Sequence, residues 1–393
     1  MKTWIVEPHD SFIPRDGRPF GLLAGVRATS LPFPFPSTTT GGVRTREGLD
    51  AEGVFDNSKP NIERVKNIEV RGALLAEIDN ARRVCHWYAP TPADALLLDA
   101  DDKDNNKAKV CRLIPRGVAA GTTNIPDGLL PLFLESKNKG KPHAYAPRFW
   151  KWKHFTDWLA KPGDFTIEDL YNFGIRSLPQ DERVHVAIDS ATQTSDPSQL
   201  FQTRGLELTR QRLQNDLRTA ARLALCVHTD ATNVKIGVSS LGGERRLVSW
   251  HQFEGEANVF TSHCPERITD DIIESKAGRI ILLTPAYFEA GWRPSWLLKQ
   301  GNLTLRAAAV NRAQVISGWD LEIGKPKPTR RLVPAGSVFF FKIQADDETT
   351  IRNWINATWM RCISDDDPKG MTRRKDGFGV AVLGTWNEGK DLT

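Results

Sequence analysis

Near the start of the chain, Pro32-Phe33-Pro34-Phe35-Pro36 places a proline at every second position. Each ring fixes φ and removes an amide donor, so neither a helix nor a central strand can run through this stretch. It lies inside a longer irregular region, from Pro8, which stops a short strand at Thr3–Val6, to about Gly53. That region holds Arg15-Asp16-Gly17-Arg18-Pro19-Phe20 and, after the prolines, Ser37-Thr38-Thr39-Thr40-Gly41-Gly42-Val43-Arg44-Thr45-Arg46. A loop this long so close to a terminus is usually functional or disordered. Its aromatic residues argue for order.

The 393 residues exceed one typical core and suit two domains. Hydrophobic residues at 40% and charged residues at 26% are those of a globular chain, which excludes disorder of the whole. The formal charge of +5 is mild, so the distribution of charge matters more than its sum. Acidic runs at Asp99, Asp101, Asp102, Asp104 and Asp365-Asp366-Asp367 offset basic clusters elsewhere. Cys85, Cys111, Cys226, Cys264 and Cys362 are scattered, with no spacing for a zinc knuckle, and fit reduced thiols. The opening residues lack the apolar region of a signal peptide, and no apolar run approaches the roughly 20 residues that cross a bilayer. The expectation is a cytoplasmic protein with no membrane partner.

Residues 68–75 and Ala95–Leu98 read as strands, 99–109 as a charged loop tip, and 136–148, with Lys137, Lys139 and Lys141, as a flexible loop. Phe149-Trp150-Lys151-Trp152-Lys153-His154-Phe155, with Trp158 and Leu159, suggests an amphipathic helix. Its aromatics either pack the core or form a base-stacking platform. Val184–Ile188 alternates like a strand, and Leu200–Leu208 is expected to pair antiparallel with Ala221–Val227. Val234–Val238 and Arg245–Phe253 form a hairpin around Leu241-Gly242-Gly243-Glu244. Residues 254–277 are polar and turn-rich and mark a domain boundary. Beyond it come strands at Arg279–Thr284, Leu303–Ala309, Ala313–Trp319, Gly336–Ile343 and Phe378–Leu383, a helical or irregular connector at Pro294–Leu298, and a helix at Thr349–Met360. The order is β-α-β-β-α-β with one extra strand, which is similar to a ferredoxin-like unit.

Enzyme signatures are missing from the sequence. No Gly-Lys pair precedes Ser or Thr, and there is no His-Glu-x-x-His. Gly237-Val238-Ser239-Ser240-Leu241 has leucine where a nucleophile elbow needs its second glycine. His9-Asp10 has no further histidines at ligand spacing, so no metal site and no cofactor are expected. A metal-independent ribonuclease, which needs only one base and cationic stabilisation, stays open.

Three segments share one chemistry. They are the Arg15–Arg46 region, Leu241-Gly242-Gly243-Glu244-Arg245-Arg246, and Arg330-Arg331-Leu332-Val333-Pro334-Ala335-Gly336-Ser337 together with Arg373-Arg374-Lys375-Asp376-Gly377-Phe378-Gly379-Val380. Glycine lets a backbone amide approach a phosphate, arginine adds a charge-assisted contact, and threonine hydroxyls donate to phosphate or 2′-hydroxyl groups. The bland alternatives are a hairpin turn at Gly242-Gly243, a solvated Arg330-Arg331 pair, and Phe33 and Phe35 packing the loop onto the core. Gly377-Phe378-Gly379-Val380 partly matches the first RRM motif but lacks its second central aromatic, so base stacking on the sheet is not supported.

In order along the chain, these segments resemble the third-subunit family of the type III-B (Cmr) CRISPR effector complex, within the RAMP superfamily. The resemblance rests on Glu7-Pro8-His9-Asp10 with Arg15–Phe20, on Pro36-Ser37-Thr38 leading to Gly41–Arg44, and on Val184-His185-Val186-Ala187-Ile188-Asp189 with Thr192, Thr194 and Leu200-Phe201. Leu282–Phe288, Arg331–Val338 and the glycine-rich Gly377-Phe378-Gly379 complete it. It implies an α+β fold of two ferredoxin-like (RRM-like) domains with long insertions, divided as 1–255 and 270–393. It further implies a non-catalytic subunit that anchors the repeat-derived 5′ handle of the crRNA and contacts the large polymerase/cyclase-like subunit and a backbone RAMP subunit. The candidate RNA contacts are Arg15, Arg18, Thr38, Thr39, Gly41, Gly42, Arg44 and Arg46, then Gly242, Gly243, Arg245, Arg331, Gly336, Gly377 and Gly379. Family members carry a protruding hairpin that kinks the RNA, for which the excursion between about 99 and 148 is the candidate. A RAMP endoribonuclease that trims precursor RNA and a scaffold that binds only protein are the alternatives.

Overall fold

In the computed structural model the proline run ends as a helix start. Pro36 is the first residue of a helix, where its fixed φ suits the first turn and its missing amide leaves no bond unmade. The structure describes residues 1–15, 27–28, 30–100, 105–118, 124–136, 140–210, 221–300, 302–320, 324–366 and 374–388. The principal elements in chain order are β1 (Lys2–Pro8), α1 (Pro36–Glu47), α2 (Lys59–Lys66), β2 (Val70–Ile78), β3 (Val84–Pro90), β4 (Ala95–Asp99), β5 (Ala108–Pro115), β6 (Phe149–Lys151), α3 (Trp152–Ala160), β7 (Gln180–Ile188), β8 (Ser195–Leu206) and β9 (Ala221–Thr229). They continue with β10 (Gly237–Ser240), β11 (Leu247–Gln252), α4 (Glu266–Ser275), β12 (Ala277–Leu282), α5 (Ser295–Gln300), β13 (Leu303–Ala309), β14 (Gln314–Asp320), β15 (Lys325–Leu332), β16 (Val338–Ile343), α6 (Glu348–Thr358) and β17 (Val380–Thr385). The fold is mixed α/β with antiparallel sheets.

By contacts the chain divides into two units. One comprises Met1–Cys85, Leu178–Gly255 and Val315–Arg330; the other comprises His86–Ser177, Glu256–Gln314 and Arg331–Thr393. The division is interleaved, where the sequence suggests a sequential one at 1–255 and 270–393.

The first unit is built on the strand order β2-β9-β1-β11-β10, antiparallel throughout. β9 reads Leu-Ala-Leu-Cys-Val-His-Thr, buried at every position from Leu223 to Thr229. Burial on both faces suits a central strand, and β9 lies between β1 and β2. The expected pairing of Leu200–Leu208 with Ala221–Val227 is therefore not formed: the more polar β8 pairs with β7 instead, from Gln180↔Leu206 to Ile188↔Ser195. Val184, Val186 and Ile188 on β7 are exposed at 60%, 48% and 66%. The hairpin expected around Leu241–Glu244 is present as β10 and β11. β14 and β15 form a separate two-stranded sheet, so the extra strand expected at Ala313–Trp319 does not join the larger one.

The second unit centres on β13-β16-β12-β17, also antiparallel. Its core includes Ile280, Ile281, Val338, Phe339, Phe340, Phe341, Val382 and Leu383, all fully buried. α6 buries Ile351, Trp354, Ile355 and Thr358, the face read from the sequence. α4 lies within the polar stretch expected to be turn-rich; Ile268, Thr269 and Ile272 give it one buried face. The segment before Ser177 adds a β4–β5 hairpin and α3. Phe155, Trp158 and Leu159 of α3 are buried, so those aromatics serve packing and not a stacking platform.

A fully buried ion pair ties that segment to the sheet. Arg279 on β12 pairs with Asp94, both side chains having no exposed area. Arg279 Nε donates to the Thr385 carbonyl at 2.8 Å and Nη2 to the Trp158 carbonyl at 2.9 Å. Trp158 Nε1 donates to Asp94 at 3.0 Å. Two buried charges are tolerated because carbonyls and an indole amine meet the remaining hydrogen-bonding groups. No helix among the described residues is long and apolar enough to cross a membrane.

Candidate functional site

The amino end of α1 lacks the usual stopper. Phe35 occupies the cap position in extended conformation and supplies no side-chain bond, and the first turn holds no acidic residue. Pro36 has no amide and the Thr38 amide donates to the Phe35 carbonyl at 3.0 Å, so it is the helix dipole that leaves this end positively polarised and suited to an anion. α6 differs: Asp347 accepts from the Thr350 amide at 2.7 Å, and Glu348 follows in the first turn.

The loop between β10 and β11 supplies the second part. Gly242 sits at φ +78°, and a Cβ there would lie 2.8 Å from the Ile13 carbonyl oxygen. The Gly243 amide donates to that same carbonyl at 2.8 Å, and a Cβ on Gly243 would lie 2.8 Å from Arg15 Nε. Glycine is therefore required so that this loop can press against the Ile13–Arg15 segment. Glu244 and Arg245 follow at φ +56° and +49°, a left-handed pair that non-glycine residues adopt at some cost. Glu244 forms an ion pair with Arg15.

Arg15, Thr38, Gly242, Gly243, Glu244 and Arg245 line one cavity of about 670 Å³. Three stretches thus meet, with Arg15 and Glu244 229 residues apart in the chain. Two guanidinium groups, a threonine hydroxyl and a polarised helix end favour an oxyanion with several oxygens, such as a phosphodiester. Glu244 holds the place of that anion on Arg15. Among the described residues that line the cavity there is no histidine, lysine or tyrosine.

The other expected contacts divide by what the fold asks of them. The glycine-bearing loop expected at Gly41–Arg44 is instead the middle of α1. Gly41 faces open space, whereas a Cβ on Gly42 would lie 2.7 Å from Leu241 and 2.9 Å from Trp250, so Gly42 lets the helix approach the β10–β11 hairpin. Thr39 is buried and its hydroxyl donates to the Pro36 carbonyl at 3.1 Å. Arg44 donates to the Ile68 carbonyl at 2.9 Å. Arg46 is buried, donates to the Lys235 carbonyl at 2.6 Å and lies over the Trp250 ring; burial holds its guanidinium below the ordinary arginine range. Arg18 lies outside the described residues. In the second unit Arg331 is exposed on β15. Gly336, at φ +84°, packs 2.4 Å (as a Cβ) from the Thr91 carbonyl. Gly377 accepts from the Thr284 hydroxyl at 2.8 Å, and the Gly379 amide donates to the Pro285 carbonyl at 2.8 Å. These last three glycines shape their own loops and do not enter the cavity.

His9 and Asp10 are engaged with neighbours. His9 Nε2 lies 2.5 Å from Ser249 Oγ. Asp10 accepts from Arg183 at 2.7 and 3.2 Å and pairs with Arg246. The Arg183 hydrogen bond, above all, holds the Asp10 carboxyl below its usual range. Among the described residues no group of three His, Cys, Asp or Glu side chains is placed to hold a metal ion. Sequence reasoning did not single out Glu244 as the partner of Arg15; its position inside Gly-Gly-Glu-Arg was the only signal.

The family model for CRISPR-associated protein (Cas_Cmr3) matches residues 4–386. No curated protein matches. Among solved structures, a chain of the type III-B Cmr-beta complex bound to cognate target RNA and AMPPnP is 13% identical, with 86% of each chain covered and a TM-score of 0.45. A chain of the same type of complex bound to cognate target RNA gives 13% identity, 86% coverage of each chain and a TM-score of 0.46. A chain from a Csm3–Csm4 subcomplex of the type III-A CRISPR-Cas interference complex is 12% identical over 98% of this chain and all of that one, with a TM-score of 0.36.

Proposed function

The chain belongs to the Cas_Cmr3 family of CRISPR-associated proteins, as a subunit of the type III-B effector complex, and on that premise we propose that it anchors the repeat-derived 5′ handle of the crRNA. The observation that carries this reading is the cavity in which Arg15, Thr38 and Gly242–Arg245 converge on the uncapped end of α1. A handle phosphate displaces Glu244 from Arg15 and takes both guanidinium groups, while the Thr38 hydroxyl donates to phosphate or ribose. Arg18, Gly41 and Arg331 are further proposed contacts along the strand.

The proposed action is to hold RNA and not to cut it; that the described lining residues include no imidazole, amine or phenol favours this over a RAMP endoribonuclease. The large polymerase/cyclase-like subunit and a backbone RAMP subunit are its proposed protein partners, in a cytoplasmic ribonucleoprotein. Both halves are read as ferredoxin-like domains. Support comes from the recurrence of one strand order, second-third-first-fourth, in β2-β9-β1-β11 and in β13-β16-β12-β17. The hairpin that kinks the RNA is assigned to β7–β8 in preference to the 99–148 excursion. β7 exposes three β-branched side chains, whereas Leu97, Leu98, Val110 and Cys111 of β4 and β5 are buried.

The test is handle-RNA binding by the Arg15→Ala/Arg245→Ala double variant across a salt titration. Loss of two single-strand phosphate contacts lowers the slope of log affinity against log salt by about 1.4. An unchanged slope and affinity would sink the assignment. Intact repeat RNA after incubation without metal is expected; cleavage products would restore the nuclease reading.

A further inference from the structure

Strand β15 begins Lys325-Pro326-Lys327-Pro328-Thr329-Arg330 and, among the described residues, pairs only with β14. Side chains alternate along a strand, so Lys325, Lys327 and Thr329 share one face. Lys325 and Thr329 are exposed and Lys327 is half-exposed. No described carboxylate lies in an ion pair with either lysine. The Lys327 carbonyl accepts from Ser317 Oγ on β14 at 3.1 Å, so the odd-numbered backbone groups are directed at β14. The outward positions are then those of Pro326 and Pro328, which have no amide to donate. The Lys325–Thr329 stretch therefore offers no outward amide and templates another strand poorly. What remains outward is a row of ammonium groups and a hydroxyl, repeating about every 6.7 Å along the strand. That repeat is close to the separation of successive phosphates in an extended single-stranded nucleic acid.

We propose that the Lys325–Lys327–Thr329 face of β15 is a second phosphate-backbone contact, taking an extended single strand of RNA without regard to sequence. It extends the reading of the chain as an RNA-holding subunit but uses none of the cavity's residues. Two lysines with a hydroxyl and, among the described residues, no aromatic partner give affinity without base selection.

Lysine acetylation footprinting on the full chain, with an oligouridylate lacking the handle sequence as probe, tests the site directly. Lys325 and Lys327 are expected to react several-fold more slowly at saturating RNA, in the unaltered protein and equally in the Arg15→Ala/Arg245→Ala variant. Lys325→Gln/Lys327→Gln is expected to lower the salt slope for oligouridylate by about 1.4. Unchanged lysine reactivity at saturating RNA overturns the proposal, as does equal protection by polyglutamate, which would assign the face to acidic protein. Handle binding that ignores Arg15 and Arg245 while the lysines stay protected overturns the cavity assignment and leaves this one standing.

Discussion

The two main sheets share a strand order and differ in what occupies the second helix position. In β13-β16-β12-β17 the crossover from β16 to β17 contains α6, capped by Asp347 and packed through Ile351, Trp354 and Ile355. In β2-β9-β1-β11 the corresponding crossover, from β9 to β11, contains only the four-residue strand β10 and the Gly242–Arg245 loop. The first arrangement closes its surface with apolar side chains. The second leaves a shortened connection whose glycines press on Ile13–Arg15 and whose charges line a cavity. One topology thus supports a filled core in one place and an open cavity in another, according to whether a helix or a glycine turn completes it. The capped end of α6 and the uncapped end of α1 follow the same division.

That contrast can be broken first at the filled side. Asp94→Ala leaves Arg279 buried without its counter-charge and should lower the stability of the second unit by about 3–5 kcal/mol. Hydrogen exchange of the β12 and β17 amides would accelerate while β1 and β9 amides keep their protection; uniform acceleration would show that the two units unfold together. A smaller effect is expected from Gly42→Val, whose added carbons meet Leu241 and Trp250. Overpacking there should cost about 1–3 kcal/mol and, by shifting α1 from the hairpin, weaken handle-RNA binding more than any surface change of equal size. The denaturation midpoint and the RNA dissociation constant together check it. The smallest effect belongs to Asp347→Ala, which removes the α6 cap and should cost about 1 kcal/mol in a urea melt with RNA affinity untouched. A loss of affinity in that variant would contradict the separation of roles.

The filled half was largely legible in the sequence. Val338–Phe341 is an unbroken apolar run, and Ile351, Trp354, Ile355 and Thr358 recur at helical spacing. α1 was not legible, because Pro-Ser-Thr-Thr-Thr-Gly-Gly has poor intrinsic helix propensity. Its helix depends on distant contacts: the close approach at Gly42 and the bonds from Arg44 and Arg46 to remote carbonyls. The same contacts explain the mixed outcome at the site. Arg15, Arg44, Arg46 and Arg245 look alike beside their glycines, yet Arg44 and Arg46 are used within the fold while Arg15 and Arg245 line the cavity. Which arginine serves which purpose is decided by the pairing of β1 with β11, and local composition carries no record of it.

The position of β1 has a consequence for how the chain is made. Its partners β9 and β11 begin at Ala221 and Leu247, so β1 waits for more than 200 later residues to be synthesised before its neighbours exist. At ~5–20 residues per second that is on the order of ten to fifty seconds with an apolar strand unpaired. Trp4-Ile5-Val6 gains from shielding by a chaperone during that interval, and the rate of synthesis between β1 and β11 becomes a determinant of yield.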